Sequence, residues 1–137
     1  MSVLIPYLNF EGNCNEAMNF YKECFGGELV VQTVAESPMA DQMPLEMKDL
    51  VLHARLEKGN IIIMASDAMD KEMVNGSMIT LMIQCDSEEE INSYFANLSA
   101  GGVVSMPLSK QFWGATYGQL TDKFGVLWSL NYENSQG

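Results

Sequence analysis

Apolar residues fall at Ala17, Phe20, Tyr21 and Cys24, and again at Ile91, Tyr94, Phe95 and Leu98. This i, i+3, i+4, i+7 spacing gives a helix one apolar stripe to lay on a sheet. Matching positions of the two stripes lie 74 residues apart. Each stripe is preceded by residues that read as a capping box, Asn13 with Glu16 and Ser87 with Glu90. Each is followed by a glycine pair, Gly26-Gly27 and Gly101-Gly102, where a helix leaves through a left-handed residue. Ahead of each helix, apolar residues alternate with others over Val3 to Phe10 and Met78 to Cys85, the period of a half-buried strand. Behind each helix comes a short strand, Leu29 to Val34 and Val103 to Leu108, and then a hairpin. The first hairpin pairs Leu50 to Glu57 with Ile61 to Ser66 about Lys58-Gly59-Asn60. The second pairs Thr116 to Thr121 with Val126 to Tyr132 about Asp122-Lys123-Phe124-Gly125.

The chain therefore reads as a βαβββ unit written twice, about 1–67 and 77–133, within a single α+β domain whose two modules form curved mixed sheets. The hairpin glycines Gly59 and Gly125 are only 66 apart, so the first half holds about eight residues that the second lacks. They fit in 35–49, where two prolines, three methionines and four acids describe a long surface loop, either a lid over a site or a passive or disordered connection.

Composition narrows the function. A chain of 137 residues, 47% hydrophobic and 18% charged, is long enough for one globular core that buries roughly two-thirds of its unfolded surface. No apolar run approaches the roughly 20 residues that span a bilayer. The opening Met-Ser-Val-Leu-Ile-Pro lacks the basic stretch of a signal peptide, so a cytoplasmic protein with no membrane partner is expected. Eighteen acids against seven bases leave a net charge of −11, which repels a phosphate backbone and excludes nucleic acid as a partner. Cys14, Cys24 and Cys85 are odd in number and lack C-x-x-C spacing, which suggests reduced, buried thiols rather than disulfides or a zinc site.

Several short runs then point to a family. Pro6-Tyr7-Leu8-Asn9-Phe10, Ala17-x-x-Phe20-Tyr21, His53-Ala54-Arg55-Leu56, Ser66-Asp67, Phe112-Trp113-Gly114-Ala115 and Asp122-x-Phe124-Gly125-x-x-Trp128 occur in order over almost the whole chain. Together they resemble the PhnB-like branch of the vicinal-oxygen-chelate (glyoxalase/bleomycin-resistance/dioxygenase) superfamily. The resemblance implies the paired βαβββ fold, a pocket on the concave side of the sheets and a homodimer. Members of the branch often carry a demethylubiquinone methyltransferase label. That activity is not expected here, because the chain has no strand, glycine-rich turn and helix for a nucleotide-like cofactor.

Metal-dependent members of the superfamily place His or Glu ligands on four strands. In this sequence the corresponding positions fall at Ile5 or Pro6, at Ile63 by counting from the hairpin glycines, near Met78 or Thr80, and at Ser129. None is an imidazole or a carboxylate, so no metal and no other cofactor is expected. His53 is the only histidine and stands on a different strand, either as a general acid, base or anion donor or as a structural residue. Tyr7 and Asn9 alternate onto the concave face of the first strand, suited to orienting a ligand or tying to a neighbouring strand. Phe112, Trp113, Tyr117 and Gln119 cluster near the second hairpin, where rings with polar handles stack on a flat ligand or pack at a subunit contact. Trp128 is expected in the core and Asp122 in a turn.

The function these residues suggest is metal-free binding of a small apolar or aromatic metabolite by Tyr7, Asn9, His53, Phe112, Trp113, Tyr117 and Gln119. Two alternatives stay open at this stage: a lyase or isomerase with His53 as general base, and a protein-interaction module.

Overall fold

The computed structural model describes residues 2–68 and 73–133 and forms two compact units, Met1–Val74 and Asn75–Gly137. In the first unit, β1 (Tyr7–Phe10), α1 (Cys14–Phe25), β2 (Glu28–Thr33), β3 (Val51–Lys58) and β4 (Ile61–Asp67) build a sheet of order β1-β4-β3-β2. In the second, β5 (Leu81–Gln84), α2 (Glu88–Ser99), β6 (Val103–Lys110), β7 (Thr116–Thr121) and β8 (Leu127–Tyr132) build β5-β8-β7-β6. In both sheets the first strand runs parallel to the last, and the other pairs are antiparallel. The fold is α+β, with one βαβββ module in each unit.

The opening strands are shorter than their alternation predicts. Pro6 has no N–H to continue the ladder, and Val3 and Leu4 before it are exposed. In the second unit β8 begins at Leu127 and Leu81 pairs with Trp128, so Met78 lies ahead of the partner strand and Thr80 opposite its first residue.

Each helix lays its stripe on one face of its own sheet. Ile91, Tyr94, Phe95 and Leu98 are buried as the spacing requires. In α1 the stripe is turned slightly: Cys14, Ala17, Met18 and Tyr21 are fully buried, whereas Phe20 is only half-buried. Facing residues Ala54, Leu56, Ile63 and Ala65 in one sheet, and Leu120, Trp128 and Leu130 in the other, complete the two cores. Burying a Leu or Ile side chain of this kind contributes about 1.5–3 kcal/mol.

The helix starts differ. Ser87 Oγ accepts from Glu90 N at 3.0 Å, and the Glu90 carboxylate accepts from Asp86 N at 3.0 Å, so the second capping box forms with its return bond one residue early. The first does not form, because the Asn13 side chain caps nothing and instead accepts from Glu11 N. Its place is taken by Asp67, from the end of β4. One Asp67 oxygen accepts from Gly12 N at 2.8 Å and Cys14 N at 3.0 Å, and the other from Val51 N at 2.9 Å. At the helix exits, a side chain on Gly27, whose φ is +91°, would strike the Glu57 carbonyl, and one on Gly102 would strike the Thr121 carbonyl. The two exits thus pass equally close to their hairpins.

The hairpin turns differ by one residue. Lys58 pairs with Ile61 across Gly59-Asn60. In the second unit Asp122 N donates to Val126 O at 2.9 Å, leaving three residues between them. The 35–49 loop is closed at its base by Val34 N to Leu50 O at 2.9 Å and Ala35 N to Lys48 O at 3.0 Å, and it contains 3-10 turns at Ala40–Gln42 and Leu45–Met47. On the outer edge of its sheet, β6 carries exposed Val103, Val104 and Met106, contains Pro107, and shifts register against β7 twice.

Candidate functional site

The helices cover one face of each sheet, so alternate residues stand on the other, open face. Register fixes the rows. In the first unit Asn9 lies beside Ser66 and Gln32 beside His53, with Ser66 and His53 one step beyond the Ala54–Ala65 pair. The next row is Tyr7, Met64, Arg55 and Val30. Arg55 donates to Glu57 at 3.2 Å and toward the Met64 sulfur at 3.9 Å.

The second unit repeats the arrangement with other residues. Gln84, Asn131, Tyr117 and Ser109 form one row, and Met82, Ser129, Gln119 and Met106 the next, with Asn131 and Ser129 of the inner strand β8 buried. Asn131 Nδ2 donates to Gln84 Oε1 at 2.9 Å, and Gln119 Nε2 donates to the Tyr117 hydroxyl at 2.9 Å. His53 and Tyr117 hold equivalent positions, as do Arg55 and Gln119.

Five of the sequence candidates therefore stand on open faces: Tyr7, Asn9 and His53 in the first unit, Tyr117 and Gln119 in the second. Phe112 and Trp113 lie instead in the β6–β7 connection, where their rings pack edge to face at 4.9 Å and Phe112 is 97% exposed. Gln32, Arg55, Ser66, Gln84 and Asn131 also belong to these rows. The two-residue period running from His53 could have found Arg55; Gln32, Ser66, Gln84 and Asn131 are on other strands, joined to the rows by register.

Ile63 faces α1 and is buried, so it is not the counterpart of Ser129. Met64 is, because Met64 pairs with Arg55 as Ser129 pairs with Gln119. Counting from the glycines falls one short, because Asn60 follows Gly59 inside the first turn whereas Gly125 is the last residue of the second. Ile5 and Pro6 precede β1, and Met78 and Thr80 precede β5; the residues beside Met64 and Ser129 are Tyr7 and Met82. Within the first unit the pair offers a phenol and a thioether, within the second a thioether and a hydroxyl. These do not fit a centre that needs imidazole or carboxylate ligands, and among the described residues no three His, Cys, Asp or Glu side chains gather.

All three cysteines are buried. Burial, and then the nearby Asp67 charge, pushes the Cys14 thiol up to about 12. Burial, and then Glu90 and Asp86, does the same to Cys85, also to about 12. Both are protonated at neutral pH and unsuited to nucleophilic or metal-ligand roles. Their folded pKa values lie above the ordinary 9.0, so the stability they contribute is complete below about pH 9 and is lost as pH rises toward 12. The melting temperature is expected to fall over that range more steeply for the native chain than for a Cys14→Ala/Cys85→Ala variant. Parallel curves would show that other groups carry the alkaline loss.

Among the described residues, no helix is long and apolar enough to cross a membrane. Comparison with known proteins places this geometry among relatives. A family described as 3-demethylubiquinone-9 3-methyltransferase matches residues 2–131. Protein YjdN of Escherichia coli K12 is 34% identical, over 97% of each chain. The crystal structure of protein PA1353 from Pseudomonas aeruginosa superposes with a TM-score of 0.86 at 37% identity, covering 97% of this chain and 98% of that one. A PhnB protein from Bacillus cereus gives 0.76 at 28% identity, covering 96% and 99%. A glyoxalase/bleomycin resistance/dioxygenase family enzyme from Burkholderia phytofirmans gives 0.63 at 15% identity, covering 93% and 97%, a likeness of fold alone.

Proposed function

Because the chain belongs to the family described as 3-demethylubiquinone-9 3-methyltransferase, in the PhnB-like branch of the glyoxalase-fold proteins, we propose that it binds a small apolar or aromatic metabolite on its open sheet faces, without the superfamily's metal centre. One observation carries this reading. Both units set a row of hydrogen-bonding side chains beside a row that leaves apolar groups in the open: Tyr7 and Val30 in the first, Met82 and Met106 in the second. Apolar surface edged by a few polar handles is how small-molecule sites combine affinity with orientation. Tyr7, Asn9, His53, Tyr117 and Gln119 supply the handles, and Phe112 and Trp113 supply rings beside the second sheet. The absence of imidazole or carboxylate at Tyr7, Met64, Met82 and Ser129 supports binding without that metal.

Methyl transfer is not carried over from the family's description. The connections into the helices, Glu11-Gly12-Asn13 and Cys85-Asp86-Ser87, are not glycine-rich turns of the kind that cradle a nucleotide-like cofactor.

A thermal-shift screen of apolar and aromatic metabolites tests the reading. A ligand present at about 100 times its Kd stabilises the native state by about 2.7 kcal/mol, which raises the melting temperature by several degrees, and Asn9→Ala or Tyr117→Phe should shrink that rise. A saturating screen that never moves the transition sinks the proposal. The half-buried position of His53 in a polar row favours a second reading, a lyase or isomerase with His53 as general base. Full turnover by His53→Ala on a substrate so found removes that role.

A further inference from the structure

The duplication supplies an internal comparison at the first turn of each helix. In the first unit this corner is closed: Cys14 and Met18 are fully buried, and Asp67, 3% exposed, bonds to three backbone N–H groups there. The residues 74 positions on are Glu88 and Asn92, and both are exposed. Tyr132, which takes the place of Asp67 at the end of the last strand, is half-buried. Where the first unit has packed side chains, the second has a cleft of about 340 Å³. Its lining includes Glu88 and Asn92 of α2, Ser109 and Lys110 at the end of β6, Thr116 of β7 and Tyr132 of β8. Thr116 and Tyr132 are paired and share the helix-facing side with Leu130, so the cleft lies across the sheet from the open face.

We propose that this cleft is a second binding site, specific for a small zwitterion of about amino-acid size, with the ligand's ammonium at Glu88 and its carboxylate at Lys110 and the Thr116 hydroxyl. Four elements converge on the cleft, and they bring one carboxylate, one ammonium, two hydroxyls and an amide. Among the described residues neither the Glu88 nor the Lys110 side chain has an ion-pair or hydrogen-bond partner. A ligand carrying both charges satisfies both groups at once. A simple anion meets Glu88, Glu89 and Glu90 in the first turn of α2, within a chain of net charge −11, and a simple cation meets Lys110. The volume is at the lower end of small-molecule sites, roughly 300–1,000 Å³, and the polar lining suits a ligand that need not be greasy.

The test is a titration of the ¹⁵N-labelled whole chain, followed by amide shifts, with L-glutamine and 4-aminobutyrate as zwitterions and butylamine and butyrate as single-charge controls. At least one zwitterion is expected to shift the amides of Asn92, Gly114 and Thr116 saturably, and each control should bind about tenfold more weakly or worse. Glu88→Gln and Lys110→Met should each weaken the zwitterion by about tenfold. Asn92→Met, which restores the first unit's residue at an exposed position, should abolish the shifts while leaving a dispersed spectrum. The proposal is overturned if neither zwitterion gives saturable shifts at these amides, if the controls bind as well, or if both charge variants bind like the native chain. Shifts confined to Tyr117 and Gln119 would also overturn it, by placing the ligand on the open face.

Discussion

Asp67→Ala is expected to lower the unfolding free energy by about 3–5 kcal/mol, read from the midpoint of urea denaturation at neutral pH. Asp67 is 3% exposed and holds the N–H groups of Gly12, Cys14 and Val51, which belong to the loop before α1, the first residue of α1 and the first residue of β3. Removing the carboxylate leaves three donors unpaired. Those of Cys14 and Val51 are in buried surroundings, where an unmet donor costs about 1–3 kcal/mol. A loss this large is a substantial part of the 5–15 kcal/mol that keeps an ordinary domain folded. Asp67→Asn should fall between alanine and the native chain, because one amide oxygen still accepts while the NH₂ group confronts a donor. A midpoint for Asp67→Ala within experimental error of native would show that these bonds are replaced by water at no cost.

Asp122→Ala is expected to cost about 2–4 kcal/mol in the second unit by the same physics. One oxygen accepts from Phe124 N at 2.8 Å and Val126 N at 3.0 Å, which shapes the turn, and the other accepts from the indole of Trp128 at 2.8 Å. Trp128 is 2% exposed and Trp113 is 55% exposed, so in a Trp113→Phe background the fluorescence reports Trp128 alone. Loss of its acceptor should shift that emission and move the urea midpoint together. Emission and midpoint both unchanged would mean that Val126 and the indole find other acceptors. Asp122 is thus a turn residue, as its position between two strands suggested, and an anchor for the core as well.

The sequence displayed what repeats locally. Periods of 3.6 and 2 placed α1, α2 and the strands ahead of them, β1 and β5, because a stripe or an alternation is a property of neighbouring residues. Asn13 was read as a cap because it stands at the right spot in the chain, but the group that bonds there, Asp67, lies more than fifty residues away and no local pattern announces it. Strand faces were legible where counting began inside a strand, as for Tyr7 and Asn9. They were lost where counting crossed a turn: Asn60 follows Gly59 inside the first turn whereas Gly125 ends the second, and this moved the predicted counterpart of Ser129 from Met64 to Ile63, from the open face to the core. The cleft beside Glu88 was hidden for a related reason. Two polar residues on a helix look like ordinary solvent-facing positions until the matching Cys14 and Met18 are seen to be buried.

Strand β6 has a consequence for how concentrated this protein can become. An uncovered strand edge is a template on which a second chain can add, and apolar edges are where aggregates start. With Val103, Val104 and Met106 exposed, β6 has the greasy character of such a template. Pro107 offers no N–H to an incoming strand, and the two register breaks, one ahead of it and one spanning it, interrupt the row of groups. The loss of Pro107 would therefore tell less on folding stability than on solubility, through the crowding at which molecules begin to zip together.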